Sequence, residues 1–321
     1  MPLKNRILGK TNITVAEMGL GLWAVQGSEW GKADDKESLE AIEKALGMGA
    51  NFFDTSDVYG DGHSEELLGQ AMKGWRGKFV VSTKIGWRGF TDGHSGYTTV
   101  DKLIAGIESN LKRLQTDYLD ILFSHINFHE STMPVFVEGF AKLQKQGKLK
   151  GYGVSTSDFE YLKKFNADGG CSVVQIDYSI LNRTPEADIL PYCAEEKIGL
   201  VIRGPLAMGL LAGKFTKDSK FEQGDFRRNW IEKPDQNKVF LEDLAKVEKL
   251  KAVAGGKSLA QLALQFTLAH PAVSVVIPGA KNPKQVEANV SAGLLPPLSP
   301  AELKELDSIT PPNGGRKIWP A

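Results

Sequence analysis

What this chain lacks narrows it first. Its 321 residues include only two cysteines, Cys171 and Cys193. Two thiols cannot build the disulfide framework of a small secreted domain; they suit a reducing compartment, and both read as small core residues. No apolar run approaches the ~20 residues that cross a bilayer. The opening MPLKNRILG carries no apolar stretch of the kind a secretory leader needs. A membrane role is therefore not expected, and a cytoplasmic location is. Net charge is absent too, since 39 basic residues balance 39 acidic ones. Nucleic-acid binders usually present a net basic face, so nucleic acid is not the expected partner; a local basic pocket for a phosphate fits the same totals. His63, His94 and His129 match no metal-ligand spacing and fall on loops, so no metal is expected. Low-complexity tracts and internal repeats are missing as well.

What is present is an alternation of short apolar runs with amphipathic stretches. Arg6–Val15 reads as a hairpin turning at Gly9–Asn12. Strands are expected at Glu17–Gly21, Asn51–Asp54, Phe79–Lys84, Tyr118–Phe123, Lys150–Val154, Val173–Ile176, Gly199–Ile202 and Val273–Ile277. Helices are expected between them: Asp34–Gly49, Ser64–Met72, one starting at Thr99, Pro134–Gln146, Ser157–Asn166, Pro185–Lys197, a split pair Gln236–Val253 and Ser258–Leu268, and Pro283–Val290. Leu39, Ile42, Ala45 and Leu46 share one face of the first helix; Leu103, Ile107, Leu111 and Leu114 share one face of the third. Arg203–Pro234 is a long connection with little periodicity. Eight strand–helix units with right-handed crossovers imply a closed (β/α)₈ (TIM) barrel, an α/β fold in one domain over residues 1–321 with an N-terminal β-hairpin cap. The rival is an open doubly wound sheet, which wants Gly-x-Gly-x-x-Gly after an early strand. Gly19-Leu20-Gly21 runs into Leu22, Trp23 and Ala24 instead. Residues 296–321 read as a tail on the barrel, with a short helix near Pro300–Ser308 and Trp319 as a surface anchor or a pocket lid.

Three strands end in titratable groups. NFFD ends in Asp54, with Tyr59 five residues on; VVSTK ends in Lys84; LDILFSH ends in His125. The carboxyl ends of barrel strands are where such folds keep their catalytic groups. Each residue alone has an ordinary alternative: a loop carboxylate, a rim aromatic, a surface charge, a core histidine. Together at consecutive strand ends they form a constellation.

FDTSDVYG, SEELLG, STK and DILFSH together resemble the aldo-keto reductase family, from roughly Leu8 to Asn289, and in layout the bacterial branch with a long GLLAGKF loop. The resemblance implies a catalytic tetrad of Asp54, Tyr59, Lys84 and His125. No side chain donates hydride, so a nicotinamide cofactor must. Tyr59 would give the proton, Lys84 would lower the phenol's pKa, Asp54 would hold Lys84, and His125 would orient the carbonyl. Trp23 and Trp87, on loops after strands, would wall the substrate pocket with Tyr59 and His125.

The cofactor's phosphates are expected at the loops after the seventh and eighth strands. These are GPLAMGLLAGK, with Gly204, Pro205, Leu206, Gly209, Leu211, Gly213 and Lys214, and PGAKNPKQVEAN, with Gly279, Lys281, Gln285 and Asn289. By the resemblance, Lys281 would meet a 2′-phosphate, favouring NADPH/NADP+ over NADH, and Gln285 and Asn289 would meet the adenine side. Gly21, Trp23, Asp54, Ser155, Thr156, Gln175 and Arg203 would complete the nucleotide site. Four positions depart from the family pattern. Ser155-Thr156 replaces Ser-Asn; Arg203 replaces the aromatic that stacks on nicotinamide; Gln285 stands where some relatives have a clamping arginine; Ile126-Asn127 follows His125 in place of a proline-bearing loop. A cation at Arg203 disfavours the oxidised ring and so favours reduction. Arg227 and Arg228 read as solvated, with pairing to an anionic substrate or cofactor phosphate as the alternative. The expected activity is NADPH-dependent reduction of aldehydes or ketones by a monomer or weak homo-oligomer. A dehydrogenase oxidising a sugar or polyol, and a nucleotide-sensing subunit with slow turnover, stay open.

Overall fold

The computed structural model describes residues 2–26, 30, 33–90, 95–125 and 130–317. The chain opens with the antiparallel hairpin β1 (Asn5–Ile7) and β2 (Thr14–Ala16). Its turn ends at Asn12, at φ 58°, where the amide side chain tolerates the left-handed region. Eight parallel strands follow: β3 (Leu20–Gly21), β4 (Phe52–Asp54), β5 (Val80–Ile85), β6 (Leu119–His125), β7 (Leu149–Ser155), β8 (Val173–Asp177), β9 (Gly199–Arg203) and β10 (Val273–Val276). Each pairs with its sequence neighbour. Parallel bridges Met18–Val276 and Gly21–Gly279 join the last strand to the first, making a TIM barrel.

The helices are α1 (Asp35–Gly47), α2 (His63–Met72), α3 (Val100–Arg113), α4 (Met133–Lys145), α5 (Phe159–Phe165), α6 (Ile189–Glu195), α7 (Asn229–Glu232), α8 (Pro234–Ala252), α9 (Leu259–Ala269), α10 (Pro283–Leu294) and α11 (Pro300–Ile309). Side-chain caps set several starts: Asp34 accepts from Glu37 N at 2.9 Å, and Ser258 and Ser299 form capping boxes with Gln261 and Glu302.

Two apolar layers follow from strand alternation. Inside, Phe52, Ile121, Phe123, Val173, Val201 and Val275 meet Leu8 and Val15, so the hairpin plugs one end of the barrel. Outside, Val81, Ile85 and Leu122 face helix residues such as Leu103, Ile107 and Leu111. The inward parity that buries Phe52 also aims Asp54 inward two residues later, and the same spacing carries Val80 to Ser82 and Lys84, and Phe123 to His125.

Three expectations change. The first barrel strand proper is two residues long; Glu17–Gly19 meet the last strand only through an isolated bridge at Met18, with Val276 N donating to Glu17 O at 3.0 Å and Gly19 N to Val276 O at 2.9 Å. The helix expected over Pro185–Lys197 is broken: a 3₁₀ turn at Thr184–Ala187 stops at Asp188 (φ −143°, ψ −61°), whose carboxylate caps Ile189 N at 2.6 Å. The 203–234 connection is ordered by ring packing rather than by periodicity. Phe221 lies 5.2 Å from Phe215 and 6.0 Å from Trp230, and Phe226 lies 6.1 Å from Trp230. The tail docks on the barrel through Arg183, which donates to Thr310 O and Asp307 Oδ1, each at 2.6 Å. Both cysteines are buried, as expected. His94, His129, Ile126, Asn127 and Trp319 lie outside the described residues.

Candidate active site

Asp54 is the hub of the barrel mouth. It is 3% exposed at the end of β4. One carboxylate oxygen accepts from Ser82 Oγ at 2.7 Å and Gln175 Nε2 at 2.9 Å; the other accepts from Lys84 Nζ at 2.6 Å. The Lys84 ammonium, wholly buried, also donates to Thr55 O at 2.8 Å and to the Tyr59 hydroxyl at 3.2 Å. All three ammonium protons thus have partners. Burial is the largest single influence on Lys84 and pushes its pKa down, but Asp54 and Tyr59 together outweigh it and the net shift is upward, so the group stays charged.

Tyr59 enters from the loop after β4, where three residues in a row have positive φ: Gly60 (58°), Asp61 (57°) and Gly62 (99°). That path turns the chain sharply from strand to helix. Gln26 Oε1 pins it by accepting from Gly60 N at 2.6 Å. Lys84 does pull the phenol's pKa down, as expected, but it does not set the net shift. Burial dominates and raises it; Lys84 opposes and Asp54 adds to the rise. At neutral pH the phenol keeps its proton. His125, at the end of β6 and 8% exposed, places its ring 6.2 Å from that of Tyr59 and 6.2 Å from that of Trp87, edge-on to both. Trp23 stacks on Tyr59 at 6.0 Å and on Phe226 at 6.2 Å. Tyr59, His125, Trp23 and Trp87 therefore share one aromatic-walled mouth.

The residues expected at the cofactor fall into two groups. Ser155, Thr156 and Gln175 are buried at the ends of β7 and β8, with Ser155 Oγ donating to Gln175 Oε1 at 3.1 Å. Arg203 ends β9 in register with Asp177; burial lowers its pKa while Asp177 opposes. Gly21 and Gly279 face each other across the barrel seam. Gly204 has φ +65°, and a Cβ there would sit 2.6 Å from Asp177 Oδ1, so the close backbone approach requires glycine. Gly209 (φ +95°) and Gly213 (φ +72°) shape the next turn. Pro205 and Leu211 are buried, Leu206 is half-buried and packs on the core, and Lys214 is exposed. In the second group, Lys281 donates from Nζ to Trp30 O, Gln285 Oε1 accepts from Lys281 N at 2.9 Å, and Asn289 donates to Gly279 O at 3.2 Å. Arg227 is not solvated, contrary to expectation. It chelates Asp225 (2.5–3.2 Å) and lies 4.9 Å from the Trp30 ring and 5.1 Å from that of Phe221. Arg228 pairs with Glu232 on the surface.

The mouth suits a nicotinamide nucleotide on its own chemistry. A buried polar row (Ser155, Gln175) can meet a carboxamide, glycine turns at 204–213 open the backbone, and cations at Arg227 and Lys281 stand beside the loop.

Two buried carboxyls behind the mouth were not expected from the sequence. Glu65 of α2, 0% exposed, accepts from Thr83 Oγ1 at 2.5 Å and Arg113 Nε at 2.6 Å, and burial lifts its pKa to about 7. Asp57, also 0% exposed, lies beside Ser56 and Arg88, and burial lifts its pKa to about 6. The signal for Glu65 was available: its i+3 and i+4 neighbours Leu68 and Gly69 are core-facing, so Glu65 shares their face.

A barrel with a Lys–Asp–Tyr cluster and a buried polar row at its mouth defines a class, the NAD(P)H-dependent oxidoreductases. A model of the aldo/keto reductase family matches residues 17–311, and the chain belongs to that family. Among curated relatives, the aldo-keto reductase YhdN of Bacillus subtilis is 33% identical over 88% of this chain and 86% of its own. A probable voltage-gated potassium channel subunit beta of Arabidopsis thaliana is 32% identical over 96% of each. An NADH-specific methylglyoxal reductase of Escherichia coli is 31% identical over 90% of this chain and 93% of its own. Among solved structures, the glycerol dehydrogenase of Gluconobacter oxydans aligns with a TM-score of 0.81 at 28% identity, covering 99% of this chain and 98% of that one. An aldo-keto reductase of Klebsiella pneumoniae in complex with NADPH aligns at 0.75 and 27% identity, covering 97% and 96%. Among the described residues no helix is long and apolar enough to cross a membrane.

Proposed function

We propose that this protein reduces aldehydes or ketones to alcohols with NADPH, and that Tyr59 gives the proton. The observation that carries this is the Lys84 ammonium within hydrogen-bond reach of both Asp54 and the Tyr59 hydroxyl. When bound, the reduced nicotinamide supplies hydride to the carbonyl carbon. The chain supplies the rest. Tyr59 enters protonated, because burial holds its pKa high. It releases the proton to the nascent alkoxide, and the phenolate left behind faces a permanent cation on Lys84. Asp54 keeps that cation fixed and charged. His125 donates to the substrate oxygen and orients it, while Trp23 and Trp87 exclude water and receive apolar substituents.

Arg203 supports the reductive direction, since its charge at the mouth opposes an oxidised, cationic ring. Lys281 supports NADPH, because an ammonium at the start of α10 suits a 2′-phosphate, as does the likeness to the NADPH-bound Klebsiella enzyme. Likeness to the NADH-specific Escherichia coli reductase pulls the other way, and that to the glycerol dehydrogenase pulls toward oxidation. Likeness to channel subunits favours a second reading, nucleotide binding with slow turnover. Consumption of NADPH and of NADH by purified protein, over a panel of aldehydes, ketones and polyols, separates these. Faster carbonyl reduction with NADPH is expected; tight nucleotide binding without turnover on the panel would replace the enzymatic reading with the second.

A further inference from the structure

Behind His125 lies a pair of groups that the tetrad does not use. Ser56 Oγ stands 3.1 Å from His125 Nδ1 and 3.1 Å from Asp57 Oδ1. A hydroxyl has one proton, so it donates to only one of these neighbours. The direction of that single bond decides which nitrogen of a neutral His125 carries hydrogen.

If Asp57 is ionised, Ser56 donates to its carboxylate and accepts from His125 Nδ1–H; Nε2 of the neutral ring then has no proton to give. If Asp57 is protonated, its O–H donates to Ser56 Oγ, Ser56 donates to Nδ1, and Nε2 carries the hydrogen. One proton added at Asp57 thus appears at His125 as a tautomer change, with no heavy-atom movement. We propose that Asp57, acting through Ser56, is a positioning residue that selects the His125 tautomer able to donate to a substrate carbonyl, so that reduction is switched by protonation of this buried relay. The idea rests on the reading that His125 donates through Nε2.

The surroundings fit a carboxyl that changes protonation in an ordinary pH range. Asp57 is clamped in place: its carbonyl accepts from Arg88 Nε at 3.1 Å and Nη2 at 2.8 Å, and its N–H donates to Lys84 O at 3.3 Å. Its second carboxylate oxygen, Oδ2, meets no hydrogen-bond donor among the described residues; the nearest cation, Arg88 Nε, stays 3.9 Å away. Burial favours the neutral acid and outweighs Ser56, Arg88, Arg113 of α3 and Lys84 of β5, which favour the anion. Glu65 of α2 and Tyr97 also face the group, and Asp61 of the same loop shares Arg88 at 2.8 Å. The balance puts the midpoint at about pH 6. Arg88 stands on the Oδ2 side, so the proton belongs on Oδ1, where Ser56 waits.

The test reads the tautomer directly, by ¹⁵N NMR of histidine-labelled full-length protein at pH 5 and pH 7.5, with the His125 signals assigned by their loss in His125→Gln. On this reading the ring carries a single proton, on Nε2 at pH 5 and on Nδ1 at pH 7.5; a ring protonated on both nitrogens at pH 5, as an ordinary imidazole of pKa about 6.5 would be, overturns it. Asp57→Asn is expected to hold Nε2–H at both values, because Arg88 draws the amide oxygen to the Oδ2 side and leaves the NH₂ to donate to Ser56. Ser56→Ala should uncouple the ring from Asp57 and abolish the shift. In kinetics, kcat/KM for reduction should fall with rising pH through about 6, approaching about tenfold per pH unit; in Asp57→Asn this fall should vanish. An unchanged parent tautomer, a shift that survives Ser56→Ala, or an Asp57→Asn profile lowered at every pH would each overturn the relay; the last would point to an imidazolium stabilised by the carboxylate. The NMR readout needs no turnover, so failure of the relay and failure of the reductase reading remain distinguishable.

Discussion

Replacing Lys84 with methionine keeps most of the side-chain volume and deletes one charge. The side chains of Lys84 and Asp54 are 1% and 4% exposed, so the Asp54 carboxylate would be left buried without its cation. Breaking a buried pair from one side costs about 3–5 kcal/mol. Asp54 keeps Ser82 and Gln175 as donors, which places the expected loss at the lower end, about 3 kcal/mol. For a chain of this length that is a fall in Tm of roughly 4–5 °C. In Asp54→Asn/Lys84→Met neither member of the pair leaves a charge behind, and more than half of the lost stability should return while activity does not. Urea denaturation of the parent, both single variants and the double variant gives the coupling energy as a double-mutant cycle. A Lys84→Met protein within about 0.5 kcal/mol of the parent, or additive single effects, would refute the picture of a desolvated pair whose partners need each other.

Three further outcomes are expected. Glu65 has its carboxyl raised from 4.5 to about 7, so the folded state holds the proton where the unfolded chain has released it; stability should fall as pH rises from 4.5 to 7, by on the order of 3 kcal/mol, and Glu65→Gln should flatten that slope in urea titrations at several pH values. Gly153→Ala would set a Cβ 1.5 Å from Val173 O between β7 and β8, so it should cost more than about 3 kcal/mol or abolish soluble expression; a near-parent Tm would show that the strands can part there. Lys281→Met should weaken NADPH about tenfold and leave NADH unchanged, read as dissociation constants by fluorescence titration; equal losses for both nucleotides would remove Lys281 from the 2′-phosphate.

The barrel was legible because strand alternation and strand-end polarity speak the same language. FFD, VVSTK and LDILFSH each show an inward apolar residue two positions before an inward polar one, and closure of the barrel brings those ends together. The helix break at Asp188 was hidden because Pro185–Lys197 keeps helical periodicity, and only the local capping of Ile189 stops it. The 203–234 segment was illegible for a different reason: its rings show no helical or strand period, and Phe226 is held by Trp23 and Trp30, about 200 residues earlier, which no short window contains. The net rise of the Tyr59 pKa was not legible, because a lysine neighbour is visible in sequence, whereas the depth of the phenol is not. Arg227 was misread as solvated for the same reason. The Ser56–Asp57 relay sits inside the very motif that identified the tetrad, but its geometry requires His125, 69 residues away.

The most direct test of the central claim is single-turnover oxidation of enzyme-bound NADPH by an aromatic aldehyde, comparing Tyr59→Phe with the parent and measuring NADPH affinity in both. Only the hydroxyl is removed, and Lys84 keeps Asp54 and the Thr55 carbonyl. Hydride transfer should slow by about 10²–10⁴-fold with affinity nearly unchanged. A Tyr59→Phe protein that reduces the aldehyde at close to the parent rate would contradict the assignment of Tyr59 as proton donor.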